Sequence, residues 1–251
     1  MVCGGRSLLE EPMSYNIWRA PADNDRNIAQ KWREFRYDHA YSRGYDAQAA
    51  IEDGVCVVRS RFTICMPANS PAVSGNAVWR IMPDGTMEVS IDGERNALAP
   101  VLPRFGLRLM LPSSMRNVEY FGYGPYESYA DKHRASFRHL YRADTADMHE
   151  DYLKPQENGS HYGCSYLRLY DGQGEICARG EAFCFSASPY TQEELTRKAH
   201  NFELRESGCT VLCLDAFQNG LGSNSCGPAL SEAYQSPAEI RWRIVLSART
   251  V

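Results

Sequence analysis

The segment Arg19-Ala-Pro-Ala-Asp-Asn-Asp25 is the densest polar cluster of the chain. Oxygen ligands at alternate positions are typical of a calcium loop, and this pattern is matched by Asp23, Asp25, Asn27 and Glu34. Ile28, however, occupies the position where such a loop needs glycine. The favoured interpretation is therefore a turn that starts a helix and in which Arg19 pairs with a carboxylate.

A second stretch, Gly122-Tyr-Gly-Pro-Tyr-Glu-Ser-Tyr-Ala-Asp131, combines aromatic and acidic side chains. Pro125 lacks the backbone N–H that a phosphate-binding loop would need here, so the pattern does not indicate a nucleotide site. Tyrosine rings beside a carboxylate suit a sugar, because its C–H groups stack on π-faces while its hydroxyls need acceptors. Glu127 is thus a candidate sugar-binding residue, and the alternative is that the tyrosines around it belong to the core.

The loop Pro155-Gln-Glu-Asn-Gly159 offers donors and acceptors that suit a hydroxyl-rich ligand or that satisfy one another within the loop. The candidate residues for binding such a molecule are Glu157 and Asn158. His149 precedes the loop, but the second histidine that a zinc-binding helix needs four residues later is absent.

Glycine and proline are frequent between Phe217 and Pro228, which predicts a long irregular loop, and such loops in compact domains are often functional. Ser225 and Cys226 have side chains of nucleophilic type, but no GxSxG elbow surrounds them and no histidine is near in sequence. No two carboxylates stand out as the pair that a glycosidase places around the scissile bond. The residues alone therefore assign no catalytic group.

The composition excludes several classes of protein. The 251 residues are 43% hydrophobic and 23% charged, as in an ordinary globular chain. No apolar run approaches the roughly 18 residues of a membrane-spanning helix, and the first residues do not resemble a signal peptide. A net charge of −4 argues against a general nucleic-acid surface and leaves a sugar open as a ligand.

The nine cysteines are odd in number, and no pair has CxxC spacing, so neither a zinc ribbon nor a thioredoxin motif is expected. Several lie in apolar runs and are interpreted as buried reduced thiols that pack as small hydrophobes. Reduced thiols favour a reducing compartment, and the expected location is cytoplasmic.

These candidate residues need elements that position them, and the sequence predicts mainly strands. Two short helices are expected, one at about 28–37 from the apolar spacing of Ile28, Trp32 and Phe35, and one at about 192–199 that starts with a Thr191–Glu194 capping box. Hairpin turns are predicted at Pro83-Asp84-Gly85 and Asp171-Gly172. The predicted strands are 55–65, 77–81, 86–91, 107–111, 118–121, 164–170, 175–179, 182–186, 210–215 and 240–246. Because helices do not alternate with strands, we predict an all-β, antiparallel sandwich that forms a single domain over residues 1–251.

Five motifs in this order resemble the bacterial glycoside hydrolase family 2 β-galactosidases. They are Trp18-Arg-Ala-Pro-Ala-Asp-Asn-Asp25, Pro103-Arg-Phe-Gly-Leu-Arg108, the run from Phe121 to Asp131, Tyr152-Leu-Lys-Pro-Gln-Glu-Asn-Gly159, and the stretch from Asp215 to Pro228. The stretch from Ser186 to Thr196 also matches in order. The resemblance covers nearly the whole chain and is to the C-terminal small-chain domain of that family, domain 5. It implies a large antiparallel super-sandwich related to galactose mutarotase, which agrees with the strand pattern.

The resemblance also implies which parts of the enzyme lie elsewhere. In the family, the two catalytic glutamates lie on an upstream (β/α)₈ barrel, which also supplies most ligands of the Mg and Na that these enzymes often use. No catalytic or metal-binding residue is therefore expected in this chain. The implied function is that of a domain of a retaining β-galactosidase, inactive alone, whose partners are a β-galactoside and the upstream domains, with a homo-oligomer as a further expectation. The alternative is a stand-alone mutarotase-like protein that binds carbohydrate or epimerises an aldose.

In the family, a loop after a late strand presents a tryptophan that stacks on the sugar. Cys226 occupies that position here, so the sugar platform is expected to be weaker or differently selective. The expected substrate-binding residues are Asn224, Ser225, Cys226, Glu127, Glu157 and Asn158. The motif residues with an expected structural role are Arg19, Asp23, Asn24 and Asp25, and the alternative for Glu127, Glu157 and Asn158 is the same structural role.

Overall fold

The computed structural model describes residues 1–250, whose regular structure is almost entirely β. The strands are β1 (Val2–Cys3), β2 (Arg6–Ser7), β3 (Ser14–Asn16), β4 (Tyr41–Glu52), β5 (Val55–Cys65), β6 (Val73–Ile81), β7 (Met87–Arg95), β8 (Arg104–Pro112), β9 (Asn117–Gly124), β10 (Phe137–Asp144), β11 (Ser160–Tyr170), β12 (Gly174–Ser188), β13 (Cys209–Gln218) and β14 (Glu239–Thr250). The helices are α1 (Arg26–Glu34) and α2 (Gln192–Arg197), and single 3₁₀ turns occur at 23–25, 37–39, 201–203 and 232–234.

Strand β12 connects two layers of antiparallel sheet. The first layer has the order β10-β9-β11-β12-β14-β7-β6-β5-β4. The first part of β12, up to Gly180, pairs with β14, and its last part, from Cys184, pairs with β13, which continues to β8 and β3. Ala182 has a positive φ of 47° at this change of partner. A strand that changes partner in this way turns a corner between two packed sheets.

The core lies between the two layers. Tyr15 of β3 stacks on Phe62 of β5 with ring centroids 4.4 Å apart, and Phe105 of β8 lies 6.4 Å from Phe62. These contacts join the short second layer to the face of the first. Together with the antiparallel pairings, they confirm the predicted all-β sandwich.

Helix α1 closes one side of the core. Its Trp32 is completely buried, packs edge-on against Trp18, and donates from its indole N–H to the carbonyl of Val101 at 2.7 Å. Ile28 and Phe35 pack beside it at the predicted helical spacing. The helix ends at Glu34, before the expected boundary, because Arg36 adopts the left-handed conformation with φ 66°.

The predicted elements are mostly present with longer bounds, and two long strands were missed. The predictions at 175–179 and 182–186 form one strand, β12. Strands β4 and β10 were not predicted because neither has the apolar alternation that marks a half-buried strand: no side chain of either strand is fully buried, and nearly all of β4 is exposed. Both lie at the ends of the first layer as edge strands.

One end of the second layer collects the motif residues. Strand β8 begins there with Arg104, and β13 runs past it from Asp215 to Gln218, opposite Gly106 and Arg104 respectively. Strand β11 begins beside them with Ser160. The loops that contain the remaining motifs connect to this end of the sandwich.

Candidate functional site

The loop at residues 219–228, which follows β13, is fixed at its base by Arg19. This completely buried guanidinium donates to the carbonyls of Asn219 and Gly220, the latter at 3.1 Å. It also forms a two-pronged ion pair with Asp25, with N–O distances of 3.1 and 2.6 Å. Burial alone would lower the pKa of Arg19, but the adjacent Asp25 carboxylate raises it above its usual value. The predicted pairing of Arg19 with a carboxylate is thus confirmed, and the pair holds the loop.

The middle of the loop is held by Asp131. Its two carboxylate oxygens accept hydrogen bonds from the backbone N–H groups of Leu221 at 3.0 Å and Gly222 at 2.7 Å. Asp131 ends the second polar stretch of the sequence but was not predicted as a site residue. The sequence offered no signal for this contact, because its partners lie about ninety residues away.

The tip of the loop is held by Asn24. The Asn24 side chain donates to the carbonyl of Gly222 at 2.6 Å and accepts from the hydroxyl of Ser225 at 2.7 Å. The side chains of Arg26 and Asn27 approach the carbonyls of Ser225 and Asn224 at 3.3 and 3.4 Å. The structure therefore brings Asn24 and Asp25 together with the predicted loop residues, whereas Cys226 projects from the tip as an exposed thiol.

A buried network around Arg104 lies next to the base of the loop. Arg104 is completely buried and pairs with Asp215, with N–O distances of 3.0 and 2.5 Å, and with Glu157 at 3.3 Å. Gln218 donates to Asp215 at 3.0 Å and to Ser160 at 2.9 Å. Burial raises the pKa of both Asp215 and Glu157, although Arg104 opposes this rise. Arg104 and Asp215 lie within two of the sequence motifs, but the sequence assigned neither residue to the site.

Glu157 connects this network to the Arg19 segment, since its backbone N–H donates to the carbonyl of Ala20 at 2.9 Å. One carboxylate oxygen of Glu157, Oε1, and the hydroxyl of Tyr129 are buried without a hydrogen-bond partner in the part of the chain that the structure describes. Asn158 links its own loop to the preceding turn by accepting from the N–H of Glu150 at 3.1 Å.

Glu127 is surrounded by donors from the protein itself. It accepts from the Lys132 ammonium, from the hydroxyl of Tyr152 at 2.6 Å, and from the backbone N–H of Gly159 at 3.0 Å. The structure thus directs Glu127 toward the loop that contains Glu157 and Asn158. Substrate contact by these three residues stays a prediction, and each also has the structural contacts of the alternative.

Asp23 is separate from these contacts. Its side chain is exposed, and its backbone N–H donates to the side chain of Gln156 at 2.9 Å. The calcium-loop alternative has no support in this geometry, because the carboxylate of Asp25 is bound by Arg19 and by the N–H of Ala22. Among residues 1–250, no group of three or more His, Cys, Asp or Glu side chains is arranged to hold a metal ion.

The groups that an epimerase would need for acid and base catalysis are not free. His161 is buried, its Nδ1 lies 3.1 Å from the carbonyl oxygen of Tyr123, and burial lowers its pKa to about 4. Burial likewise lowers the pKa of His149. Because Glu127 and Glu157 are bound by donors within the protein, the geometry does not favour the epimerase alternative.

Two cavities lie near the loop at residues 219–228 and the Asp131 segment. The smaller, about 130 Å³, lies beneath the loop and is lined by residues that include Asn24, Gly222 and Asn224. The larger, about 440 Å³, is lined by residues that include Glu127, Lys132 and Tyr152.

No helix in residues 1–250 has the length and apolar character needed to cross a membrane. All nine cysteines are free thiols.

Comparison with known proteins places this arrangement in a family. A relative named beta-galactosidase from Actinobacillus pleuropneumoniae is 42% identical over 96% of this chain and 24% of its own length. A second beta-galactosidase, from Staphylococcus xylosus, is 37% identical over 91% of this chain and 23% of its own length. The chain thus spans about a quarter of the length of these curated relatives.

A solved structure, a putative aldose 1-epimerase from Escherichia coli K12, matches 82% of this chain and 68% of its own, with 10% identity. Its TM-score of 0.37 is too low to establish a shared fold. The family model described as the beta galactosidase small chain matches residues 1–246. With a match across nearly its entire length, the chain belongs to the beta-galactosidase small chain family.

Proposed function

We propose that this chain is the C-terminal domain of a retaining β-galactosidase that hydrolyses terminal β-D-galactosides, and that it is inactive alone. Its role is to present the loop at residues 219–228 to an active site whose catalytic glutamates lie in another part of the enzyme. The observation that supports this role most strongly is the set of three contacts, from Arg19, Asp131 and Asn24, that fix an irregular loop on the outside of the sandwich.

The length of the relatives also supports a catalytic pair that lies outside this chain. A retaining glycosidase needs two carboxyl groups about 5 Å apart, one as nucleophile and one as acid and base. In the candidate site, the carboxylates of Asp25, Asp215 and Glu157 are buried against arginines, which leaves them unable to reach a sugar carbon. The remaining three-quarters of such an enzyme would supply the reacting pair.

Within the assembled enzyme, the chain would act by positioning. Asn224, Ser225 and Cys226 form the tip that we assign to the sugar, and a fixed tip lowers the entropy lost when the substrate is ordered. Cys226 offers a small polarisable thiol in place of an aromatic face, so it provides a weak apolar contact and leaves more room.

The partners in this proposal are a β-galactoside and the other domains of the enzyme, with a homo-oligomer as a further element. Any Mg and Na would be held by the other domains. The negative net charge of −4 supports the absence of a nucleic-acid partner. A cytoplasmic location is supported by the nine free thiols.

Kinetics of Cys226 variants in the intact enzyme test the proposal. We expect Cys226→Trp to lower the KM for 2-nitrophenyl β-D-galactoside about two- to twelvefold, since an aromatic stacking contact contributes about 0.5–1.5 kcal/mol. Cys226→Ala should raise KM slightly. Cys209→Ala, at the opposite end of β13, is the matched control and should leave kcat and KM unchanged. Identical kinetics in all three variants would contradict a sugar-facing loop.

A further inference from the structure

The three contacts that hold the loop differ in burial and in the kind of bond. Arg19, at the base, is completely buried and paired with a carboxylate. Asp131, in the middle, is half-buried and binds two backbone N–H groups. Asn24, at the tip, is a half-buried neutral amide. The base is thus secured by charge in the protein interior, whereas the tip is held mainly by one uncharged side chain.

The Asn24 side chain closes a clamp over the tip. Its amide N–H reaches the carbonyl of Gly222 at 2.6 Å, and its oxygen accepts from the hydroxyl of Ser225 at 2.7 Å and the N–H of Ser225 at 3.4 Å. One planar group therefore fixes both ends of the segment 222–225. Within the loop, the N–H groups of Cys226 and Gly227 donate to the carbonyl of Ser223, which keeps the segment folded as a turn.

We infer that Asn24 is a positioning residue for the reaction, acting through Ser225 to set the place and order of the tip that includes Cys226. This inference rests on the proposed function, because it assumes that the tip faces the sugar. Asn24 itself has no role in the chemistry. It lies in the 3₁₀ turn at 23–25, directly before α1, and the packing of α1 through Trp32 joins this turn to the core.

The amide is needed at this position because the clamp uses both a donor and an acceptor. An aspartate would keep the acceptor for Ser225 but place a carboxylate against the carbonyl oxygen of Gly222. An alanine would remove all three hydrogen bonds of the side chain. Both substitutions act on a half-buried surface position and leave the charged base of the loop intact.

The experiment uses the intact enzyme with Asn24→Ala and Asn24→Asp, and reads backbone hydrogen exchange in residues 221–227 together with kcat and KM. We expect exchange in this segment to rise about tenfold and KM to rise about fivefold in both variants, as loss of one to three hydrogen bonds implies. The exchange of β8 and β13 should stay unchanged. Asn117→Ala is the matched control, since Asn117 also donates from its amide to one carbonyl, that of Tyr170 at 3.1 Å, away from the loop.

A double-mutant cycle with Ser225→Ala tests the route. If Asn24 acts through Ser225, the effects of the two substitutions on KM are less than additive. Additive effects would refute the claim that Asn24 acts through Ser225. Unchanged exchange at 221–227 in the Asn24 variants would overturn the inference whatever their kinetics. Raised exchange without a change in KM would also overturn it. The Cys226 variants then show which assumption failed. If they change KM, the proposed function stands and only the role of Asn24 is refuted. If they do not change KM, both the proposed function and the role of Asn24 are refuted.

Discussion

Arg19 and Arg104 are among the largest fully buried side chains of the molecule, and both lie beneath the loop that we assign to the sugar. A buried guanidinium is tolerated only when carboxylates and carbonyls replace its water, which Asp25, Asp215 and Glu157 do here. The Arg19 pair was predictable from the sequence because its partner is six residues away. The pair of Arg104 with Asp215 was not predictable, because 111 residues separate them and only the fold brings β8 and β13 together.

Removing the guanidinium of Arg104 should therefore destabilise the protein strongly. Arg104→Met leaves Asp215 and Glu157 buried without their cation, and we expect a loss of about 3–5 kcal/mol in the free energy of unfolding. Urea unfolding measures this change. Arg116→Ala, which breaks an exposed pair with Asp144, is the control and should leave the midpoint unchanged. A loss in the Arg104 variant no larger than in the control would refute this account of the network.

His161 should make stability depend on pH. Burial lowers its pKa to about 4 in the folded protein, whereas the unfolded chain titrates near 6.5. The unfolded state thus binds more protons than the folded state between these pH values. The contribution of His161 to the free energy of unfolding is therefore largest above pH 6.5 and falls as the pH drops toward 4. The expected loss is roughly 3 kcal/mol.

Urea unfolding at a series of pH values tests this expectation against His161→Phe. The phenyl ring preserves packing against Phe185 and Tyr120, although it loses the bond to the Tyr123 carbonyl. The variant should be less stable at neutral pH but have a flatter profile between pH 6.5 and 4. Parallel profiles for the two proteins would show that His161 does not titrate as described.

At the scale of elements, the closeness of β8 and β13 positions the network. Gly106 lies opposite Asp215, and a Cβ there would overlap the carbonyl oxygen of Leu214 and lie 2.6 Å from the Cα of Asp215. The sequence predicted both strands from their apolar runs. Their register, and the shift between Asp215 and Phe217 that accompanies it, depends on packing that a single sequence does not contain.

Gly106→Ala should accordingly separate these strands and destabilise the protein by about 3 kcal/mol, because backbone atoms cannot move aside as a flexible side chain would. Gly44→Ala on the exposed edge strand β4 is the matched control, since nothing lies within 4 Å of its added Cβ. We expect a change within about 0.5 kcal/mol there. Thermal unfolding followed by circular dichroism distinguishes the two, and equal shifts would contradict the close approach of β8 and β13.

At the scale of the whole molecule, composition and turn signals were enough to predict an antiparallel sandwich. They could not predict that β12 passes between layers, since a strand that changes partner has the same apolar pattern as two separate strands. Nor could they predict that Asn24 would meet Ser225 across 201 positions of sequence. The loop was recognisable as irregular from its glycines, whereas its attachment to the fold became visible only in three dimensions.

The central claim is that this chain completes a β-galactosidase site without supplying the reacting groups. The most direct test is release of 2-nitrophenol from 2-nitrophenyl β-D-galactoside by the purified 251-residue chain, after circular dichroism has shown cooperative unfolding. We predict no release above buffer, and release after addition of the polypeptide that corresponds to the rest of the relatives' length. Turnover by the chain alone would contradict the claim.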